Sequence, residues 1–250
     1  MAENTGKSSW LVLGMLLAVG MVAAAFVLGT QFKNFRQPGT ITVKGLAEAA
    51  HQSDMAEWQV GVSVWGEDYG AAMKRAQGEI KSLQAFVTQQ GFVATDVRSN
   101  PLKIERYREE YRDEEGRYRT RDNGYTAKQT LTVVSRDLPR IQTALAALQN
   151  LKAQNEAYTF EQPQYLLSNL ETIKRDLIAQ ATADAQVRAE EFAKSGNTKV
   201  GMMRSASQGA FNILSATSAD NDDSDYGGTY NKDTIDKKVR LVVTIEYGID

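Results

Sequence analysis

The chain has 250 residues, with 29 Lys and Arg, 31 Asp and Glu, one histidine and no cysteine. The absence of cysteine excludes disulfides, thiolate metal sites and cysteine nucleophiles, and a single histidine leaves little imidazole chemistry. The net charge of −2 argues against a nucleic-acid partner, which requires a concentrated basic surface. We expect no cofactor, and the length fits one large or two small domains.

An uncharged segment lies between Lys7 and Lys33. Its apolar part, residues 10–30, has about the 20 residues that an α-helix needs to cross a hydrocarbon core. We interpret it as a transmembrane anchor, because residues 26–28 continue the apolar run. The alternative is a signal peptide cleaved at the three alanines of residues 23–25. Both interpretations direct the rest of the chain to a membrane or across it.

The segments that flank the anchor leave its orientation open. A short tail, residues 1–9, carries Lys7, and a linker, residues 31–38, carries Lys33 and Arg36. The positive-inside rule therefore favours neither side.

Small residues share one stripe of the anchor when it is drawn as a helix. Such a stripe lets membrane helices approach one another closely, which favours self-association through the bilayer. The alternative is that Gly and Ala are simply common in membrane helices. The stripe consists of Gly14, Ala18, Met21, Ala25 and Gly29.

The remaining part of the chain, residues 39–250, alternates strand-type and helix-type patterns. Alternation of apolar and polar residues predicts strands at 39–46, 55–65, 92–107, 118–135, 157–165, 199–214 and 237–247, with a turn at 49–54. Helical periodicity predicts long helices at 68–90 and 168–196 and a short one at 137–150. Strands joined by hairpins, with helices on one face, are typical of an α+β domain with mainly antiparallel sheet.

Local signals set the ends of the two long helices. Asp68 can cap the first, and Gly91 supplies a left-handed stop. Ser168 and Glu171 match a capping box at the second, whose apolar stripe continues to Phe192. Both segments read as long helix, glycine stop, strand, loop and strand, which suggests a weak internal duplication.

Several segments share their order and spacing with one known family. They are the N-terminal hydrophobic segment, Gly91-Phe-Val-x-x-Asp96-Val97, residues 125–138, the helix around Ala183-Asp-Ala185, and Val239-Arg-Leu-Val-Val-Thr-Ile-Glu-Tyr247. Together they resemble the SIMPL-domain family of bacterial envelope proteins over residues 39–250.

The resemblance implies a fold, a location and an assembly. It implies a SIMPL-like α+β domain on the periplasmic side of the bacterial inner membrane, held by a single-pass anchor. It also implies a large ring- or channel-like homo-oligomer with an indirect role in envelope or oxidative stress tolerance. It implies no catalytic residues that could be carried over to this chain.

A hairpin rich in Arg and Tyr is predicted at residues 105–125, with its turn at 113–116. Both of its faces are polar, so it cannot build a core of its own and should protrude from the sheet. Interleaved Arg and Tyr are favoured at protein interfaces, which predicts a subunit contact. The alternatives are a solvated hairpin with cross-strand ion pairs and, less favoured because of its acidic residues, nucleic-acid binding. The contact residues would be Arg106, Tyr107, Arg108, Tyr111, Arg117, Tyr118 and Arg119.

An acidic loop is predicted at residues 216–234. Four carboxylates could surround Ca²⁺, but the spacing and terminal Glu of an EF-hand are missing, so we predict no metal site. A mobile loop between two strands is the better description. The carboxylates are Asp220, Asp222, Asp223 and Asp225.

No segment predicts an enzyme. His51 lies in a predicted turn without a recognisable nucleophile nearby, and Glu190 and Glu191 are adjacent on a helix and point in different directions. No phosphate-binding glycine loop is present. The sequence therefore predicts a membrane-anchored protein that assembles with itself, and the rival hypothesis is a periplasmic binding module for a small or peptide ligand.

Overall fold

The computed structural model describes residues 5–34, 39–217 and 227–249, with side chains in the first range from residue 13 to 29. Within these ranges the helices are α1 (Thr5–Asn34), α2 (Tyr69–Gln89), α3 (Leu138–Gln154) and α4 (Leu170–Ser195). The strands are β1 (Thr40–Gln52), β2 (Met55–Gly66), β3 (Val97–Ser99), β4 (Lys103–Arg112), β5 (Tyr118–Ser135), β6 (Tyr158–Phe160), β7 (Gln164–Leu166), β8 (Val200–Ser215) and β9 (Asp236–Ile249).

The strands form two sheets. A three-stranded sheet has the order β1-β9-β8, and a six-stranded sheet has the order β3-β5-β2-β6, with β4 added to β5 and β7 added to β2. The pairs of the larger sheet are antiparallel, and β2 and β5 run side by side from Ala56 opposite Ser135 to Gly66 opposite Tyr125. The predicted α+β class with mainly antiparallel sheet is confirmed.

The chain divides into two compact units. One contains the described residues of 46–184 and 208–243, and the other contains those of 1–45, 185–207 and 244–250. In the first unit, α2 and α3 contact β2. Trp58 of β2 is completely buried and packs in one cluster with Leu83 of α2 and Leu148 of α3. The alternating face predicted for β2 and the stripe predicted for α2 are therefore the core of this unit.

Two predicted strands are each divided by a proline. The strand expected at 92–107 consists of a 3₁₀ turn, Ala94–Asp96, and of β3 and β4 on either side of Pro101. The strand expected at 157–165 consists of β6 and β7, with Pro163 between them. Proline has no N–H to donate to a ladder, so continuous pairing stops at these positions.

The first predicted turn is too long. Strand β1 continues through His51 to Gln52, and only Ser53 and Asp54 separate it from β2. Because β1 and β2 belong to different sheets, the chain needs no hairpin loop here. Residues that look like a polar turn therefore extend the strand.

The helix ends follow the predicted signals except at α4. Asp68 accepts the N–H of Ala71 at 2.7 Å, and Gly91 has a φ of 88°. The predicted capping box at Ser168 is wrong, because α4 begins at Leu170 and Ser168 bonds to the carboxylate of Asp54. The stripe of α4 also departs from prediction, since Phe192 is 63% exposed while Ala189 and Ala193 are buried.

The N-terminal helix α1 is continuous over 30 residues. The large apolar side chains described in it are exposed, from Leu13 to Leu28. None of the helices, taken over the described residues, combines the length and the hydropathy needed to span a bilayer. Residues 1–4 of the predicted tail and residues 35–38 of the predicted linker lie outside the described residues.

Candidate functional site

Strands β4 and β5 continue past the end of β2 as a two-stranded ribbon, residues 107–122. Gly66, the last residue of β2, pairs with Tyr125, whereas the pairing of β4 with β5 extends to Arg112 opposite Tyr118. Among the described strands, β4 alone pairs with residues 118–122 of β5. The ribbon therefore exposes both of its faces.

A bulge lies where the ribbon leaves the sheet. Arg106 pairs with Tyr125 and Arg108 pairs with Asp122, so β5 has one residue more than β4 between these pairs. Gly124 has a φ of 78°, and a Cβ on it would lie 2.4 Å from the carbonyl oxygen of Gly66. A bulge raises the local twist and redirects the strand pair. Only glycine meets both conditions, the positive φ and the close approach.

Asp113 organises the turn at the tip of the ribbon. Its carboxylate accepts the backbone N–H of Arg117 at 2.9 Å and the Nε of Arg119 at 3.0 Å. The bond from the Arg117 N–H, followed by those from the arginine side chains, holds the pKa of Asp113 below its ordinary value. Gly116 completes the turn with a φ of 77°.

Arg106, just before the ribbon, and the other ribbon arginines make cross-strand contacts. Arg106 and Arg108 lie 3.0 and 3.5 Å from carboxylate oxygens of Asp122, and Arg121 lies 2.9 Å from Glu109. The guanidinium carbon of Arg112 lies 4.6 Å from the centre of the Tyr118 ring. Exposed ion pairs of this kind contribute about 0–1 kcal/mol each to stability, so their main effect is on side-chain orientation.

The register places the predicted contact residues on both faces of the ribbon. Arg106 and Arg108 share one face with Tyr118, whereas Tyr107 and Tyr111 share the other face with Arg119. Arg117 lies in the turn. Within residues 106–122, six arginines face six carboxylates, so the ribbon has no net positive field that would attract phosphate.

The tyrosines are the exposed apolar surface of the ribbon. Tyr107, Tyr111 and Tyr118 are 43%, 39% and 71% exposed. The carboxylates that pair with the arginines, Glu109 and Asp122, were not singled out from the sequence. The sequence signal for the bulge was the dipeptide Asn123-Gly124, which is typical of a reversal of chain direction.

A second candidate site is an apolar groove beside the end of α2. Its volume is about 520 Å³. Gly91, one of the lining residues, accepts a hydrogen bond at its carbonyl oxygen from Arg140 at 2.8 Å. A groove of this size can hold a small apolar ligand. Its apolar lining is Val87, Phe92, Val93, Ala94 and Val97.

The predicted small-residue stripe lies on the described part of α1. Its members are exposed, and a Cβ added to either terminal glycine would meet nothing within 4 Å. The stripe consists of Gly14, Ala18, Met21, Ala25 and Gly29.

The remaining sequence candidates do not form a site in the part of the chain that the structure describes. Asp220, Asp222, Asp223 and Asp225 lie outside it. No group of three or more His, Asp and Glu side chains in the described ranges could hold a metal ion. Glu190 accepts a hydrogen bond from Gln186 at 3.0 Å.

The comparison with known families decides the identity of the fold. A family model described as SIMPL, protein of unknown function (DUF541), matches residues 41–247. The chain belongs to the SIMPL family. The match begins at the start of β1, so the SIMPL domain includes the ribbon and the groove, and α1 precedes it. A search of curated proteins found no match.

Proposed function

We propose that this SIMPL protein is a membrane-anchored envelope protein that assembles into a ring- or channel-like homo-oligomer. The SIMPL domain lies in the periplasm of a bacterium, and a single-pass anchor at residues 10–30 lies in the inner membrane. Its contribution to envelope or oxidative stress tolerance is indirect, because the chain has no cysteine to oxidise. The observation that carries the proposal is the ribbon of residues 107–122.

The ribbon has the composition and the position of a contact element. It extends beyond the sheet, and its exposed Tyr107, Tyr111 and Tyr118 offer flat amphipathic surfaces of the kind enriched at interfaces. Its arginines are already paired within the ribbon, as Arg108 is with Asp122. Burial of an unpaired charge is costly. An interface that covered such a pair would bury no unpaired charge.

The sequence supports the anchor. The run from Ser8 to Phe32 has no charged residue, and it lies within the continuous helix α1. Exposed apolar side chains in α1, such as Leu16 and Phe26 at 66% and 73%, are unfavourable in water and favourable in lipid. The resemblance of the sequence to bacterial envelope proteins supports an envelope location for the domain that follows.

Mass photometry of the detergent-extracted full chain tests the assembly. We expect particles at a fixed multiple of the 27.6 kDa chain over a wide dilution range. Replacing Tyr107, Tyr111 and Tyr118 together by Ser should shift the particles to smaller species. Val93→Ser, at a 59% exposed residue outside the ribbon, is the control and should leave them unchanged. A monomer at every concentration would overturn the proposal.

A second set of substitutions separates the arginines from the tyrosines. Changing Arg106, Arg108, Arg117 and Arg119 together to Ser should loosen the oligomer and leave the monomer folded, because these side chains are exposed. Circular dichroism checks the fold. Unchanged assembly in both the arginine and tyrosine variants would place the interface elsewhere.

The anchor and its orientation need separate measurements. The intact mass of the mature chain distinguishes an anchor, which keeps residues 10–30, from a signal peptide cleaved at 23–25. Protease should leave the SIMPL domain intact in whole cells and degrade it in spheroplasts, whose outer membrane has been opened. Protection of the domain in spheroplasts would contradict the periplasmic location.

The apolar groove favours a second candidate function, that of a binding module. Its lining by Val87, Phe92 and Val97 suits a small apolar ligand or an apolar peptide side chain. A ligand library should then raise the melting temperature of the wild-type protein, since a ligand that binds only the folded state stabilises it. Val93→Arg, at the exposed rim, should abolish that shift. No stabilisation by any ligand would remove this candidate.

A further inference from the structure

Strand β8 is an edge strand of the three-stranded sheet, with β9 on its inner side. On its outer side, among the described residues, one backbone segment bonds to it, at Ile213. The N–H of Ile213 donates to the carbonyl oxygen of Thr229 at 2.7 Å, and the N–H of Asn231 donates to the carbonyl oxygen of Ile213 at 2.7 Å. This edge therefore accepts added backbone, whereas no described strand pairs with the outer side of residues 201–207.

The open stretch has little of the protection by charged residues and prolines that is usual in an edge strand. Residues 201–207 contain a single charge, on Arg204, and no proline. The other long edges differ. Strand β4 carries several arginines and glutamates, and the N–H of Leu46 in β1 donates to the carboxylate of Asp184 at 2.8 Å. Charged side chains and capped N–H groups keep edges from pairing with other chains. Of the three edges, on β1, β4 and β8, the edge of β8 has the least of this protection.

Exposed apolar side chains lie on β8 and on α4. Met202 and Met203 are 85% and 47% exposed, and Val187 and Phe192 of α4, which belong to the same compact unit, are 57% and 63% exposed. Four large apolar side chains in 17 residues of sequence are more than the isolated exposed residues expected of a solvated surface.

We propose that residues 201–207 of β8 pair with the same residues of a second copy in an antiparallel, two-fold arrangement. The inference deepens the proposed self-assembly by naming a contact outside the ribbon. A two-fold contact places identical surfaces together, and strand addition supplies main-chain hydrogen bonds. Two β1-β9-β8 sheets would then join into one.

Charge and backbone direction select the register. Both backbone groups of Ile213 point outward, so those of Ser205, eight residues earlier on the same strand, point outward as well. A two-fold axis at Ser205 places Arg204 opposite Ala206 and Met203 opposite Ser207. An axis at Arg204 would place two arginines opposite one another, which is destabilising. The second copy therefore pairs about Ser205.

The absence of cysteine from the chain allows a direct test in the full-length protein. Ser205→Cys places one thiol of each copy at the two-fold axis, and a short bifunctional thiol reagent should link two chains efficiently. Ser82→Cys, at an exposed position of α2, is the matched control and should link far less. Equal linking of the two variants, or none at Ser205→Cys, would overturn the proposal.

A blocking substitution separates this contact from the ribbon. Ser205→Lys places two like charges at the axis and should lower the mass of the assembly, with circular dichroism as the check on folding. The link through Ser205→Cys should persist when Tyr107, Tyr111 and Tyr118 are all Ser. If the tyrosine variants dissociate and the cysteine link never forms, the ribbon proposal stands and the β8 proposal fails. If the cysteine link forms and the tyrosine variant does not dissociate, the ribbon proposal fails and the β8 proposal stands.

Discussion

The carboxylate of Asp54 accepts hydrogen bonds from both the backbone N–H and the hydroxyl of Ser168, 114 positions further along the chain. The N–H lies 2.7 Å from Oδ1. This pair ties the connection between β1 and β2 to the residues just before α4. Partial burial by itself raises the pKa of Asp54, but the hydrogen bonds from Ser168 outweigh it and leave the pKa below its ordinary value.

We expect Asp54→Asn to lower the free energy of unfolding at neutral pH by about 1–2 kcal/mol, since hydrogen bonds to a charged acceptor are lost. The greater stability of the wild type relative to Asp54→Asn is fully present above the unfolded-state pKa of about 3.8. It disappears as the pH falls through the lower folded-state pKa. Urea denaturation at a series of pH values measures it. Asp176→Asn, on an exposed part of α4, is the control. A difference that did not shrink below about pH 4 would contradict this account.

Two glycines with the same backbone conformation should respond differently to alanine. Gly116 and Gly124 have φ values of 77° and 78°, but only Gly124 has a neighbour in the way, the carbonyl oxygen of Gly66 at 2.4 Å from an added Cβ. We expect Gly116→Ala to cost about 1–2 kcal/mol from the left-handed backbone alone. Gly124→Ala should cost more, because the bulge must also shift. Chemical denaturation gives the free energy of unfolding of each variant. Equal losses would show that the chain around Gly124 shifts at no cost to make room for the added Cβ.

Lys237 is a lysine with no exposed surface. Its Nζ donates to the carbonyl oxygen of Asn231 at 2.6 Å. Lys237→Met keeps most of the apolar stem but leaves that carbonyl without its donor, which should cost about 1–3 kcal/mol. Lys237→Ala also removes the stem and should cost about 2–5 kcal/mol. Thermal denaturation would give the order, and a methionine variant less stable than the alanine variant would refute it.

The charge of Lys237 gives a separate prediction in alkaline solution. Burial lowers the pKa of its ammonium group below the ordinary 10.5, against the smaller opposing effect of Asp233. The unfolded chain therefore binds more protons than the folded chain between the two pKa values. The wild-type protein should gain stability relative to Lys237→Met as the pH rises through that window. Urea denaturation of both proteins at a series of pH values measures the difference between their free energies of unfolding. A difference that falls as the pH rises would contradict the prediction.

Two tryptophans test the effect of burial on an indole hydrogen bond. Trp58, completely buried, donates to the carbonyl oxygen of Glu161 at 3.0 Å, and Trp65, 40% exposed, donates to that of Asn123 at 2.6 Å. Phenylalanine removes the donor in each case. We expect Trp58→Phe to cost about 1–3 kcal/mol and Trp65→Phe less than 1 kcal/mol, because water replaces the lost partner only at the exposed site. Chemical denaturation distinguishes the two.

Much of the fold could be predicted because its signals are local. The alternation around Trp58 and the helical spacing that leads to Leu83 reflect periods of two and 3.6 residues, which neighbouring positions carry by themselves. The cap at Asp68 acts over three residues. Pro101 and Pro163 are visible in the sequence, but the predicted strands run through both of them.

The candidate sites were predictable in position but not in their contacts. The interleaved Arg and Tyr of the ribbon are visible in the sequence, whereas the pairing of Arg106 with Asp122 depends on a bulge that shifts the register. The open edge of β8 could not be predicted from the sequence, because exposure of an edge depends on which strands pair beside it.

By itself, then, the sequence determined the family, the α+β class, the order of the elements and the uncharged N-terminal segment. These follow from composition, spacing and periodicity along the chain. The tertiary structure alone decided that Asp54 holds Ser168 instead of a helix capping box, that the ribbon arginines are paired, and that β8 has an open edge. Each of these depends on residues distant in sequence coming together, and hydrogen-bond partners at such separations leave no local pattern.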